Sequence, residues 1–229
     1  MKKEILVVPR GIRYISDWRN YQILDFPHIV NKQLTGCGFT EYCLTNNTDT
    51  IICSPRRILL ENKFEQHTGD VFYFRNLLDM YVNNFDQDIH SPKVINNTTD
   101  DSENITLLSF KDLMSSLLNY IESRRQQHLP IKILVTYDSF RLVREFIEKS
   151  EFISMDGFQI IIDEFQSIFV DSRFKSDTEI RFLRYLQGLS KVCFVSATPM
   201  LDRYLEMLDE FKDLPYRNIY QTLHIYISQ

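Results

Sequence analysis

Residues 35–40 read Thr35-Gly36-Cys37-Gly38-Phe39-Thr40, and this stretch decides how the rest of the chain is interpreted. The chain has only 6 glycines in 229 residues, well below the roughly 7% of average usage, yet two of them lie one residue apart here. Such glycines let backbone N–H groups turn toward phosphate oxygens, and a following helix adds the positive end of its dipole. The hydroxyl of Thr40 stands where phosphate loops hold Mg²⁺. The stretch predicts a phosphate loop in which Phe39 replaces the usual lysine.

Two later apolar runs end in polar residues. Residues 158–166 read Phe158-Gln159-Ile160-Ile161-Ile162-Asp163-Glu164-Phe165-Gln166, which predicts a buried parallel strand with two acids at its carboxyl end. Ligands of open parallel sheets lie beyond that edge, where Asp163 could reach Mg²⁺ and Glu164 could orient a hydrolytic water. A second apolar run is followed by hydroxyl residues instead of acids, in residues 191–199, which read Lys191-Val192-Cys193-Phe194-Val195-Ser196-Ala197-Thr198-Pro199. Either run could also be a strand that simply ends in solvated polar residues.

The ordered set of these motifs resembles the first RecA-like lobe of superfamily-two helicases, the DEAD/DEAH-like group. Residues 35–40 are similar to motif I, Asp163-Glu164-Phe165-Gln166 to the DExx motif II, and Ser196-Ala197-Thr198 to motif III. Residues 53–63, Cys53-Ser54-Pro55-Arg56-Arg57-Ile58-Leu59-Leu60-Glu61-Asn62-Lys63, resemble motif Ia, and Ile133-Leu134-Val135-Thr136-Tyr137-Asp138-Ser139-Phe140 resembles motif Ib. The resemblance covers residues 28–200 and implies an α/β, RecA-like domain of the P-loop NTPase type, with three layers and a mainly parallel sheet.

The resemblance also implies roles for these residues and two ligands, ATP and Mg²⁺. Residues 35–40 would bind the nucleotide, Thr40 and Asp163 would hold the metal, and Glu164 would act on water with Asp163. The residues expected to contact a DNA or RNA backbone are Ser54, Pro55, Arg56, Arg57, Thr136 and Ser139. The residues expected to couple nucleotide state to nucleic acid are Ser196, Ala197 and Thr198. Pro55 suits the first turn of a helix, and Tyr137 and Phe140 are expected to pack rather than stack on bases.

Two departures from the family pattern bear on activity. The side chain of Phe39 can give a phosphate neither a charge nor a hydrogen bond. One charge-assisted hydrogen bond contributes about 1.5–3 kcal/mol to binding, and the loss of one hydrogen-bond donor to the transition state lowers a reaction rate by about 10²–10³. Lys32 precedes the loop on or near a strand, which argues against its reaching the phosphates. Only about 30 residues follow motif III, too few for the second lobe of a helicase. We therefore expect the chain to belong to a longer protein or to depend on a partner protein or second lobe.

Two functions of different classes remain open. The first is the nucleotide-binding lobe of an ATP-dependent DNA or RNA helicase or translocase, favoured by the two acids of motif II. The second is a degenerate, non-catalytic helicase-like module that binds nucleotide, nucleic acid or a protein, favoured by Phe39. A phage-terminase-type ATPase fits less well, because the Ser-Ala-Thr-Pro after the last strand is more typical of helicases.

Composition agrees with an intracellular enzyme domain. Apolar residues make up 44% and charged residues 25% of the chain, which is typical of globular proteins. The formal net charge of −5 argues against coating nucleic acid through the overall field, so any such contact must be local. Without a signal region or an apolar run near the ~18 residues of a membrane span, we expect a cytoplasmic protein with no membrane partner. The four cysteines are expected to be buried free thiols.

Hydrophobic periodicity predicts alternating strands and helices. We expect strands at 5–8, 51–54, 71–74 and 131–136, and helices up to 67 and at 111–125, 140–149 and 178–189. Residues 1–27 are assigned to an N-terminal extension packing on the lobe, and residues 28–215 to the lobe itself, with an exposed polar insertion at 83–104. Residues 216–229 are assigned to a C-terminal segment leading toward a second lobe.

Overall fold

A computed structural model describes residues 3–18, 28–75, 110–170, 176–198, 205, 211 and 214–221 of the chain. The polar insertion assigned to residues 83–104 lies outside the described residues.

One eight-stranded sheet organises the described residues, and every pair of neighbouring strands in it is parallel. Its strands are β1 (Lys3–Val8), β2 (His28–Asn31), β3 (Thr50–Ser54), β4 (Phe72–Phe74), β5 (Lys132–Thr136), β6 (Gln159–Asp163), β7 (Val192–Ser196) and β8 (Tyr216–Gln221). Their order across the sheet is β1-β8-β2-β7-β6-β3-β5-β4. The expectation of an α/β domain with a mainly parallel sheet is thereby confirmed.

Helices connect most of these strands. They are α1 (Phe39–Thr45), α2 (Arg57–Gln66), α3 (Phe110–Gln126), α4 (Phe140–Glu148), α5 (Ser167–Val170) and α6 (Ser176–Leu186), with short 3₁₀ turns at Ile15–Asp17 and Met155–Gly157. The helices predicted from periodicity are confirmed to within a few residues at each end. Because α2 begins at Arg57, Pro55 lies before the helix, so its predicted place in the first turn is wrong. Within the described residues, no helix is both long and apolar enough to cross a bilayer.

Side chains on the two faces of the sheet join two separate cores. In β6, Ile160 and Ile162 pack with α3, α4 and α6, whereas Ile161 packs with α1, α2 and the turn at residues 15–17. Both faces of the sheet are therefore covered at β6, which is why this strand is a continuous apolar run rather than an alternating one, whereas Ile5 and Val7 of β1 are exposed. All four cysteines are buried free thiols, as predicted.

Both ends of the described chain contribute strands to the same sheet. β1 pairs with β8, and β8 pairs with β2. Residues 3–8 of the assigned N-terminal extension therefore form the edge strand. Residues 216–221, which the sequence assigned to a segment leading toward a second lobe, instead lie inside the sheet between β1 and β2.

Candidate active site

Three polar strand ends meet at one edge of the sheet. β2, β7 and β6 are neighbours and parallel, so their carboxyl ends point the same way. In register, Asn31 at the end of β2 faces Ser196 at the end of β7, and Asp163 at the end of β6 faces Val195. The strand order thus brings the loop after β2 beside the acids that follow β6, although these segments are distant in the sequence.

The loop of residues 35–40 has the turned backbone that its glycines predict. Gly36 and Gly38 have φ of 72° and 81°, in the left-handed region that favours glycine. A Cβ at Gly38 would lie 2.8 Å from the Cβ of Tyr14, and the N–H of Ile15 donates a hydrogen bond to the carbonyl of Cys37 at 2.8 Å. The N-terminal segment therefore packs directly on the loop, and Gly38 is the residue that permits this close approach.

A cavity of about 320 Å³ opens beside this loop, at the lower end of the range for small-molecule sites. It is lined by Tyr14, Ser16, Lys32, Gly36, Cys37, Gly38, Phe39, Thr40, Glu41 and Lys63. The wall formed by Tyr14 and Ser16 was missed from sequence, where residues 1–27 were only expected to pack on the lobe. The guanidinium of Arg13 lies 5.0 Å from the centre of the Tyr14 ring, and no spacing in the sequence signals this contact.

Phe39, at the loop position where the resemblance leads us to expect lysine, is a core residue as well as part of the cavity wall. Its side chain is 2% exposed and belongs to the same core as Cys43 and Leu44 of α1. The first residue of α1 therefore anchors the helix to the sheet through apolar packing.

Lys32 brings a cation into the site from the end of β2. Its Nζ lies 2.8 Å from Oδ1 of Asp163, and the two side chains are 8% and 13% exposed. Burial by itself lowers the pKa of Lys32, but the charge and hydrogen bond of Asp163 outweigh it, so the pKa is raised above 10.5 and the ammonium stays protonated at neutral pH. The sequence argued against Lys32 reaching the loop. The structure places its side chain in the cavity wall.

Asp163 is held by two further contacts from other parts of the chain. The hydroxyl of Thr40 lies 3.4 Å from Asp163 Oδ2, and the phenol of Tyr137 donates to the backbone carbonyl of Asp163 at 2.7 Å. The Tyr137 ring stacks on Phe182 at 4.2 Å, and Phe140 is fully buried beside them. The prediction that Tyr137 and Phe140 pack in the core is confirmed, and Tyr137 also fixes the end of β6.

Glu164 has a strained backbone that the sequence did not reveal. Its φ is 59°, and a left-handed conformation costs a non-glycine residue about 1–3 kcal/mol. Its N–H donates to Asp163 Oδ1 at 3.1 Å, and its Oε2 accepts a hydrogen bond from Nε2 of Gln166 at 2.5 Å. These contacts engage both carboxylates at the carboxyl end of β6.

The Thr40 hydroxyl and the Asp163 carboxylate are oxygen donors of the kind that Mg²⁺ takes from proteins. Mg²⁺ takes one or two carboxylates from the protein and fills its other positions with phosphate oxygens and waters. The Thr40 hydroxyl and the Asp163 carboxylate, 3.4 Å apart, supply that kind of donor set. Among the described residues, no cluster of three or more His, Cys, Asp or Glu side chains could hold a metal.

The predicted nucleic-acid residues lie at the ends of two other adjacent strands. Ser54 ends β3 and pairs in register with Thr136, which ends β5. The side chains of Ser54, Thr136 and Ser139 are buried, so their hydroxyls do not face a strand bound at the surface. Arg56 is exposed, and Pro55 is half-buried. Arg57 is half-buried and hydrogen-bonds Tyr73.

The hydroxyl of Ser196 is engaged within its own turn. It donates to the carbonyl of Thr198 at 2.8 Å and accepts from the N–H of Thr198 at 2.9 Å. Ser196 is buried, Ala197 is half-buried and Thr198 is exposed. This turn ends β7, which strand pairing places between β2 and β6.

No family model matches this chain, and no curated protein matches it either.

Proposed function

We propose that the chain is a RecA-like, nucleotide-binding lobe of an ATP-dependent DNA or RNA helicase or translocase. The observation that carries this proposal is the meeting of Thr40 and Asp163. They are 123 residues apart in the sequence, yet their side-chain oxygens lie 3.4 Å apart beside a loop with two left-handed glycines. A hydroxyl, a carboxylate and an amide-rich loop at the carboxyl edge of a parallel sheet are the groups that a nucleoside triphosphate with Mg²⁺ requires.

Each group has a defined task in this proposal. Backbone amides of the loop bind the phosphates, and Thr40 and Asp163 would hold Mg²⁺. When bound, Mg²⁺ would supply the positive charge that the phosphates require. Glu164, oriented by Gln166, accepts a proton from water as the water oxygen bonds to the γ-phosphorus. The bond from that phosphorus to the bridging oxygen then breaks, and nucleoside diphosphate and inorganic phosphate form.

The nucleic-acid part of the proposal rests on the strand ends next to this site. β3 lies beside β6 and β5 beside β3, so the corner at Arg56 stands on the same sheet edge as Asp163. With the three hydroxyls of this region buried, Arg56 and the backbone of the corner are the groups left to contact phosphates. Such contacts position a strand without reading its bases. The proposal also includes a second lobe, which would close on the nucleotide bound to this one.

A non-catalytic nucleotide-binding module is the second candidate. The observation that favours it is Phe39, because its buried apolar side chain can give a phosphate neither charge nor a hydrogen bond. Measurement of phosphate release under saturating ATP and Mg²⁺ separates the two candidates. Binding without release in the presence of nucleic acid and partner lobe supports the non-catalytic module.

Calorimetric titration with ATP tests the nucleotide site itself. We expect binding that depends on Mg²⁺ and that Asp163→Asn weakens at least about tenfold, the effect of losing roughly 1.4 kcal/mol. Asp156→Asn is the matched control, because Asp156 is exposed and precedes the opposite, amino end of β6. No heat from the unmodified chain, or equal affinities for the unmodified chain and Asp163→Asn, would contradict the proposal.

A further inference from the structure

The buried ammonium of Lys32 is the feature of the site that the proposed function does not use. We propose that Lys32 binds the terminal phosphates of the nucleotide, supplying from the end of β2 the positive charge that position 39 lacks. This inference rests on the proposed function, since it assigns a ligand contact within the same cavity.

The backbone around Lys32 directs its side chain into the cavity. Lys32 follows β2 immediately, and its N–H continues the pairing with β7 by donating to the carbonyl of Ser196 at 2.8 Å. The chain then turns sharply, because Gln33 has φ of 55° and the N–H of Leu34 donates back to the Lys32 carbonyl at 2.6 Å. The side chain lines the same cavity as Gly36, although Lys32 directly follows the strand.

The ion pair of Lys32 with Asp163 places the ammonium beside the carboxylate that is proposed to hold Mg²⁺. Asp163 Oδ1 is 2.8 Å from Lys32 Nζ, and Oδ2 of the same carboxylate is 3.4 Å from the Thr40 hydroxyl. A buried ion pair adds little to stability by itself, because desolvation of both charges offsets their attraction. A functional role accounts for such a pair better. When Asp163 turns to a metal, the ammonium needs another anion, and the phosphates that accompany the metal provide it.

The other lysine of the cavity wall is already engaged. Nζ of Lys63 lies 3.3 Å from Glu41 Oε2 and 3.0 Å from Gln66 Oε1, and its side chain is 29% exposed. Neither Glu41 nor Gln66 supplies an oxygen that is proposed to hold Mg²⁺. Among the lysines that line the cavity, Lys32 is therefore the one positioned beside Thr40 and Asp163.

Titrations with ATP, ADP and AMP in the presence of Mg²⁺ test this role. We expect Lys32→Met to bind ATP about 10- to 100-fold more weakly than the unmodified chain, the range for one charge-assisted hydrogen bond. The same substitution should weaken ADP binding less. It should change AMP affinity by no more than about twofold, well below the effect of one such hydrogen bond, because AMP lacks the terminal phosphates. Lys191→Met is the charge-matched control, because Lys191 is exposed at the opposite, amino end of β7.

A second measurement avoids the risk that Lys32→Met fails to fold. Lysine-selective isotope labelling of the unmodified chain reports the Nζ environment of Lys32 by NMR, and the more conservative Lys32→Arg identifies its signal. We expect this signal to move when ATP or inorganic triphosphate is added with Mg²⁺, and to stay in place with adenosine. An unmoved signal under saturating ATP, or unchanged ATP affinity in folded Lys32→Met, overturns the role of Lys32 while leaving the nucleotide site standing. Failure of the unmodified chain to bind ATP overturns the proposed function as well.

Discussion

Replacing Phe39 by lysine would restore the residue that phosphate loops usually carry, and the structure predicts that this change is harmful. Phe39 is 2% exposed and packs in the core beneath α1. Truncating a buried phenylalanine costs about 3–5 kcal/mol, and lysine recovers only part of the lost packing while adding a charge to an apolar space. We expect Phe39→Lys to lower the free energy of unfolding by about 3 kcal/mol or more.

Urea and thermal unfolding measure this loss directly. For a chain of this size, about 3 kcal/mol corresponds to a fall in Tm of roughly 6–12 °C. Phe39→Leu is the matched control, since it keeps an apolar side chain of similar size and should lose only about 1 kcal/mol. Titration of the folded Phe39→Lys protein with ATP should show no gain in affinity, because Lys32 already supplies a cation and two ammonium groups in one cavity repel each other.

The opposite outcome would refute this reasoning. If Phe39→Lys were as stable as the unmodified chain and bound ATP tenfold more tightly, Phe39 would not be a core anchor. The expectation that a second ammonium adds no affinity beside Lys32 would also be wrong.

Two further predictions concern the buried lysines. Nζ of Lys132 donates to the carbonyls of Cys43 and Thr48, both at 2.7 Å. Lys132→Met removes these hydrogen bonds and leaves their acceptors unsatisfied, so it should lower the free energy of unfolding by about 2–4 kcal/mol. A loss below about 1 kcal/mol in urea unfolding would contradict this prediction. The pKa of Lys32, which burial lowers, is raised above 10.5 overall by its ion pair with Asp163. The folded state therefore binds this proton more tightly than the unfolded state does. The resulting contribution to the free energy of unfolding is fully present below the pKa that Lys32 has in the unfolded state, and it is lost as pH rises through its pKa in the folded state. The stability difference between the unmodified chain and Lys32→Met should therefore be constant from about pH 7 to 9 and change only above about pH 10, whereas a change already at pH 8 would argue against the ion pair.

The sequence predicted the elements that depend on local periodicity. The helix expected at 140–149 is observed as Phe140–Glu148, with Val143 and Ile147 on its buried side. The apolar run before Asp163 is observed as β6. These predictions succeed because a helix or strand buries one face or both at a spacing that is visible within a dozen residues.

The environment of individual site residues was less predictable. Ser54 and Thr136 were expected at a nucleic-acid surface, yet both are buried at the ends of paired strands. Tyr14 was not expected near the loop, although it forms part of the cavity wall. Burial of a short polar side chain depends on which segments cover it, and those segments are remote in the sequence.

By itself, the sequence determined the alternation of strands and helices, the glycine turn at 36–38 and the acids that follow β6, because each of these is written in neighbouring residues. Only the tertiary structure decided that β7 lies between β2 and β6 and that residues 3–8 and 216–221 join one sheet. The contact between Lys32 and Asp163, which are 131 residues apart, follows from that strand order. Such a contact depends on how whole strands pair and pack with one another. Because those strands are far apart in the chain, no short stretch of sequence reveals it.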